Sequence, residues 1–171
     1  MDDLKKMIRD IPDFPKPGII FKDITPLLGS AKYFKKMIKA FEETCEDLKV
    51  DKVLGAEARG FIIAAPVALK LKSGFIPARK PKKLPYKTIS QSFALEYGTD
   101  SFEIHTDSIK KDEKILIIDD VLATGGTAEA MVKLVEQLGG KVVGLRFLIE
   151  LTFLKGIDKL KKYDVKSLVK Y

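Results

Sequence analysis

Within Asp119-Asp120-Val121-Leu122-Ala123-Thr124-Gly125-Gly126-Thr127 the chain places two carboxylates, two hydroxyls and two glycines in one short stretch. Those groups together suit a sugar phosphate. Paired acids can hold ribose hydroxyls or a metal ion, glycines let backbone N–H groups come close to an anion, and threonines add hydroxyl donors. The flanking elements fit that purpose. Ile115 to Ile118 is unbroken apolar sequence without polar alternation, which suits a strand covered on both faces of a parallel sheet. The acids fall where that strand should emerge, and ligands of open α/β sheets sit beyond the carboxyl ends of strands. The helix that opens after the loop points free N–H groups and its positive dipole end at the same place. No Gly-Lys-Ser/Thr follows the glycines as in a Walker A loop; Gly55 and Gly60 have the wider spacing, but Phe61 comes next. No G-x-G-x-x-G occurs either.

A second strand-to-helix junction, Glu57-Ala58-Arg59-Gly60, should lie at the same sheet edge, where a guanidinium can clamp a diphosphate with two hydrogen bonds. Arg79-Lys80-Pro81-Lys82-Lys83 concentrates positive charge, and by residue type alone it reads as a solvated basic run. Strand alternation puts Phe93, Leu95 and Tyr97 on one face and Glu96 on the other, so Glu96 taken alone is a solvent-facing strand residue. Ile20-Phe21-Lys22 sets an aromatic ring in an irregular arm, and Leu151 and Leu154 would be equally natural as core leucines. His105 lies on the polar side of its strand with Glu103. Cys45 shares a helical stripe with Phe34, Ile38, Phe41 and Leu48, the setting of a buried structural thiol. No His/Cys cluster has the spacing of a zinc site.

The elements that must position these groups alternate. Leu4 to Ile11 reads as a short amphipathic helix ended by Pro12, followed by an irregular arm to Gly29. Ser30 is the expected N-cap of a helix over 31–48. Strands follow at Lys52 to Ala56 and Gly74 to Ala78, around a helix from Gly60 to Leu71. Arg79 to Ser90 lacks periodicity and reads as a mobile loop. Ser92 to Tyr97 and Ser101 to Thr106 flank Gly98-Thr99-Asp100, a hairpin signal. The Ile115 strand leads to a helix reaching Leu138, closed by Gly139-Gly140, and Val142 to Leu151 is the next strand. Such an order predicts a single-domain α/β fold: an open, mainly parallel twisted sheet with helices on both faces. The arm at either end of the chain, 1–29 and the stretch after Leu151, is left over as a hood above the strand ends, and 79–106 forms a flexible loop with its hairpin.

The chain has 171 residues, 46% hydrophobic and 32% charged, which describes a soluble globular domain. No apolar stretch approaches the ~20 residues of a membrane span, and the charged N-terminus lacks the apolar core of a secretory signal. One cysteine forms no internal disulfide, and a cytoplasmic location is expected. The net charge of +7 is dispersed along the chain, and no aromatic residues interleave the basic run for base stacking, so nucleic acid and membrane partners are not expected.

The acidic-pair string closely resembles the phosphoribosyl-pyrophosphate signature of the type I phosphoribosyltransferases. Other stretches resemble the adenine branch: Pro12-Asp13-Phe14-Pro15 with Pro17 to Pro26, Glu57-Ala58-Arg59-Gly60-Phe61, Leu95-Glu96-Tyr97-Gly98, and Glu150-Leu151-Thr152 with Leu154-Lys155-Gly156. The likeness is collinear over essentially the whole chain. It implies a reaction of adenine with phosphoribosyl pyrophosphate to give AMP and pyrophosphate, assisted by Mg²⁺, in a homodimer. It also implies roles. Asp119 and Asp120 hold ribose hydroxyls, directly or through the metal's water, so the metal has no direct protein ligand. Ala123, Thr124, Gly125, Gly126 and Thr127 grip the 5′-phosphate. Glu57, Ala58 and Arg59, with Arg79 and Lys83, hold pyrophosphate. Ile20, Phe21, Lys22 and Leu151 line the adenine pocket, and Glu96 exchanges a proton with the purine. Two rival readings are a phosphoribosyltransferase for xanthine or hypoxanthine, and a phosphoribosyl-pyrophosphate-sensing regulator that binds nucleic acid.

Overall fold

The computed structural model describes residues 1–95 and 98–171. In chain order its elements are α1 (Asp2–Lys6), β1 (Arg9–Pro12), β2 (Ile20–Asp23), α2 (Thr25–Leu28), α3 (Ala31–Glu43), β3 (Lys52–Ala56), α4 (Arg59–Lys70) and β4 (Gly74–Ala78). There follow β5 (Thr88–Leu95), β6 (Gly98–His105), β7 (Lys114–Leu122), α5 (Gly126–Gln137), β8 (Lys141–Glu150), 3₁₀ turns at Thr152–Leu154 and Gly156–Leu160, and β9 (Val165–Lys170).

Five strands, β4-β3-β7-β8-β9, form a sheet in which every neighbouring pair is parallel. Alternation along the buried strands divides the core. Val53, Leu116 and Ile118 pack with Ile63, Ala64 and Val67 of α4 and with Met37 and Phe41 of α3. Leu54, Ile115 and Ile117 face the other way, onto Met131, Leu134 and Val135 of α5 and onto Phe93, Phe102 and Ile104 of the β5–β6 hairpin. After β3 the chain moves outward to β4, whereas after β7 it moves outward to β8. The order therefore reverses between β3 and β7, and a crevice opens at that reversal beyond the carboxyl ends of the strands.

The structure corrects the expected elements in five places. The helix predicted from Leu4 to Ile11 ends at Lys6, and Arg9–Pro12 becomes β1, paired antiparallel with β2. The arm thus satisfies its backbone as a hairpin, with Asp23 held by Arg9 and by the hydroxyl and amide of Thr25. The helix after Ser30 stops at Glu43; Ser30 has the extended backbone of an N-cap but makes no side-chain capping bond. The expected loop over 79–90 is shorter, because β5 begins at Thr88 and Phe93 stacks on Phe102 with ring centroids 5.3 Å apart. Gly98-Thr99-Asp100 is not the hairpin turn but the start of β6, with Gly98 opposite Leu95. The C-terminal stretch, read as part of a leftover arm, supplies β9, paired with β8 from Leu145 to Glu150.

Candidate active site

β7 is longer than its apolar run suggested. β3 pairs with it only as far as Gly55 opposite Ile118, while β8 continues alongside through Leu122 opposite Glu150. Asp119 and Asp120 therefore sit in extended backbone that is paired on one side and open on the β3 side. A cleft of about 200 Å³ forms there, lined by Glu57, Ala58, Arg59, Lys80, Phe93, Phe102, Asp119, Asp120 and Thr127. Gly60, at the start of α4, leaves room for the acids: a Cβ there would lie 2.8 Å from Asp119 Oδ1.

Both carboxylates are buried, Asp119 at 8% and Asp120 at 6% exposure. The Asp120 amide donates to Asp119 Oδ1 at 2.9 Å. Burial, and then the neighbouring charge of Asp120, push the Asp119 carboxyl well above the usual range. Burial also raises Asp120, opposed by the Arg59 guanidinium. Arg59 Nε stands 2.8 Å from Asp120 Oδ2. Its N–H is not aligned with that oxygen, which makes no hydrogen bond. A buried carboxylate oxygen without a donor is the natural acceptor for a hydroxyl or a metal-bound water.

The loop from Ala123 turns into α5 through Gly125, whose φ of +80° is the left-handed conformation that glycine adopts without strain. The loop encloses a hollow of about 50 Å³ bounded by Val121 to Ala128, at the positive end of α5. Gly156 supports it from behind: a Cβ on Gly125 would lie 2.5 Å from the Gly156 carbonyl oxygen. Lys155, at φ +53°, turns the chain so that this contact is made.

The sequence-derived pyrophosphate residues are drawn together, with an addition. Glu57 Oε2 accepts from Arg79 Nε and from the Lys80 amide, both at 3.0 Å, and Lys83 Nζ lies 3.8 Å from Oε1. Burial works against ionising Glu57, but those donors outweigh it and hold its carboxyl below the usual range. Arg79 and Lys83 are thus engaged by Glu57, and neither lines the cleft. Lys80 does. Its ammonium pairs with Asp100 and lies 4.6 Å from the Phe102 ring centroid. Sequence reading treated Lys80 as part of a solvated run; the signal available was its place two residues past β4, next to the sheet edge that carries the acids.

The four adenine-pocket residues divide. Ile20, Lys22 and Leu151 line an apolar cavity of about 340 Å³ with Leu154, Phe153 and Tyr171. Phe21, between Ile20 and Lys22 on the strand, does not line that cavity, and Arg59 Cζ lies 4.9 Å from its ring centroid. β2 pairs with β1 alone among the described residues, so its other edge offers backbone groups to a ligand. Glu96 lies outside the described residues. A hollow of about 320 Å³ between α5 and residues 158–163 is larger than the acid cleft. Its opposed charges pair with one another, as in Lys133 with Glu129, and it lacks the acid pair.

A family model described as "Phosphoribosyl transferase domain" matches residues 25–170. The chain is 60% identical to an adenine phosphoribosyltransferase of Maridesulfovibrio salexigens, over 97% of this chain and 98% of that one. The chain belongs to the adenine phosphoribosyltransferases. The fold is that of the type I phosphoribosyltransferases: the crystal structure of the Thermoanaerobacter pseudethanolicus adenine phosphoribosyltransferase superposes with a TM-score of 0.97 at 53% identity, covering 99% of both chains. The Saccharomyces cerevisiae adenine phosphoribosyltransferase, crystallised with adenine and an imino-altritol bisphosphate, has a TM-score of 0.92 at 40% identity, covering 98% of this chain and 97% of that one. No helix among the described residues is long and apolar enough to cross a membrane.

Proposed function

We propose that the protein transfers the 5-phosphoribosyl group from phosphoribosyl pyrophosphate to adenine, releasing AMP and pyrophosphate in purine salvage. The observation that carries this reading is the meeting of the buried acid pair with the glycine-turned phosphate hollow at the reversal between β3 and β7. Its full-length relatives, one of them solved with adenine, support the choice of base.

Breaking the anomeric carbon–oxygen bond develops positive charge on the ribose and negative charge on the departing pyrophosphate. Each feature of the site answers one of those needs. The first N–H groups of α5 hold the 5′-phosphate in substrate and product alike, with the Thr124 and Thr127 hydroxyls beside them. Asp119 and Asp120 accept ribose hydroxyls, and their charge favours a cationic ribose. Arg59 and Lys80 face the leaving group, with Glu57 and Ala58 lining the same cleft. Arg79 and Lys83, held by Glu57, add positive field behind it. Positioning and electrostatics suffice, and no covalent nucleophile is required.

Mg²⁺ fits this site as a companion of the substrate. Among the described residues no group of three or more His, Cys, Asp or Glu is placed to hold a metal, yet Asp120 Oδ2 is buried without a donor and suits a metal-bound water. When bound, the ion would neutralise pyrophosphate charge and orient the ribose hydroxyls. Phe21 stacks on the purine, free edge groups of β2 around Ile20 and Lys22 read its rim, and Leu151 closes the apolar side. Glu96 handles the purine proton by family resemblance. Exposed apolar side chains support the implied homodimer: Ile62 and Leu69, seven apart on α4, and Phe75 on β4.

The test is incubation with phosphoribosyl pyrophosphate, Mg²⁺ and each of adenine, hypoxanthine, xanthine and guanine in turn. AMP formed from adenine, with little product from the other bases, is the expected result. Preference for an oxopurine would overturn the base assignment. Salt-sensitive oligonucleotide binding without any transfer would favour the regulator instead.

A further inference from the structure

The apolar cavity beside β2 has a wall residue with no role in the scheme above. Tyr171 faces the cavity with Ile20, Lys22, Leu151 and Leu154, and its other side meets Lys5 and Asp10. Its backbone is fixed to the turn after β8: its N–H donates to the Glu150 carbonyl at 3.0 Å, and its own carbonyl accepts from the Thr152 amide at 3.0 Å and hydroxyl at 2.6 Å. Its ring carries two ammonium groups, Lys22 Nζ at 3.9 Å and Lys5 Nζ at 4.4 Å from the centroid. Lys22 Nζ also pairs with Asp10 Oδ1 at 2.7 Å, and the lysine side chain is only 11% exposed.

This arrangement matters because β2 is not hydrogen-bonded into the central sheet; it belongs to a two-stranded sheet with β1. The distance between β2 and the wall formed by Leu151 and Leu154 is therefore set by side chains. The Tyr171 ring is a rigid one, anchored to the wall by its main chain and to the strand by Lys22. An ammonium largely removed from water gains more from a ring face than an exposed one does. We propose that Tyr171 is a positioning residue for the base, clamping Lys22 so that the base-reading strand keeps its spacing from the Leu151–Leu154 wall. The proposal rests on the adenine reading and adds to it a residue that touches no reacting atom.

Steady-state kinetics of Tyr171→Phe and Tyr171→Leu, with melting curves to confirm folding, test it. Phenylalanine keeps the ring face and should leave both KM values within about twofold of the unsubstituted protein. Leucine fills the space without a π face. It should raise KM for adenine roughly tenfold while KM for phosphoribosyl pyrophosphate stays within about twofold. A leucine variant that behaves like the phenylalanine variant, or one that raises both KM values together, overturns the proposal. If the leucine variant fails to fold, Lys22→Met takes its place, since it removes the ammonium that the Tyr171 ring holds and leaves the backbone of β2 as it is. A rise of several-fold in adenine KM alone supports the clamp, and an unchanged value refutes it. Absence of adenine turnover in the unsubstituted protein would strike the underlying base assignment instead.

Discussion

Replacing Asp119 by asparagine should make the protein more stable and nearly inactive. Asp119 and Asp120 are 8% and 6% exposed, one behind the other on β7, and both carboxyls titrate above their ordinary value of 3.8 in the folded chain. The unfolded chain ionises them near 3.8, so it releases their protons at a lower pH than the folded chain does. The stability linked to the pair is therefore fully present below about pH 3.8 and is lost as pH rises through the raised folded values. Each unit of lift costs ~1.4 kcal/mol at neutral pH. Asparagine removes that charge, keeps an oxygen to accept the Asp120 amide at 2.9 Å, and occupies the same space against Gly60. A gain of about 1 kcal/mol at pH 7, or roughly 3 °C in Tm for a chain of this size, is the expected outcome. Turnover should fall about 100-fold or more, because the lost charge faces the ribose as it becomes cationic. Melting curves of both proteins from pH 4 to pH 8 provide the assay. The gap in Tm should widen with pH. A gap that is constant across the range, or an asparagine variant that melts lower at pH 7, would refute the reasoning.

Further outcomes follow from other parts of the structure. Asp120→Asn should also cut turnover about 100-fold, and it should weaken the hold on Arg59, whose ion pair it carries; near-normal activity would count against the ribose role. Gly125→Ala forces a side chain into φ +80° and into the Gly156 carbonyl, which should cost about 3 kcal/mol and lower affinity for AMP; unchanged melting would contradict the backbone contact. Arg146 is buried at 1% exposure and donates to the Thr44, Leu145 and Asp164 carbonyls and to the Asp164 carboxylate. Arg146→Met should therefore cost about 3 kcal/mol in denaturant titration without changing either KM, and a neutral result would refute its bridging role. A chelator should abolish turnover and added Mg²⁺ restore it; full activity without divalent metal would remove the ion from the mechanism.

The central site was legible in the sequence because each of its parts follows from local chemistry. An apolar run followed by acids, a glycine turn and a helix can be read off neighbouring residues, and β3, β4 and the span of α5 follow from the same patterning. What was missed depends on partners distant in sequence. β9 carries the half-exposed pattern of an edge strand and becomes one only because β8 is there to pair with it. Arg9–Pro12 contains a proline that demotes a helix, but nothing local says that Ile20–Asp23 will pair with it. Lys80 and Tyr171 act through their neighbours: Asp100 and Phe102 for the lysine, Lys22 and Thr152 for the tyrosine. Phe21 was grouped with Ile20 and Lys22, yet strand alternation sends its side chain to Arg59 and away from theirs, a separation that the period of two would have foretold had the arm been read as a strand.

The most direct test of the account is a crystal structure of the protein with AMP bound. The phosphate should accept hydrogen bonds from the N–H groups of Gly125 to Thr127, with the ribose hydroxyls on Asp119 and Asp120 and the purine against Phe21. A phosphate bound elsewhere, such as the lysine-bearing groove beside α5, or acids turned away from the ribose, would contradict it.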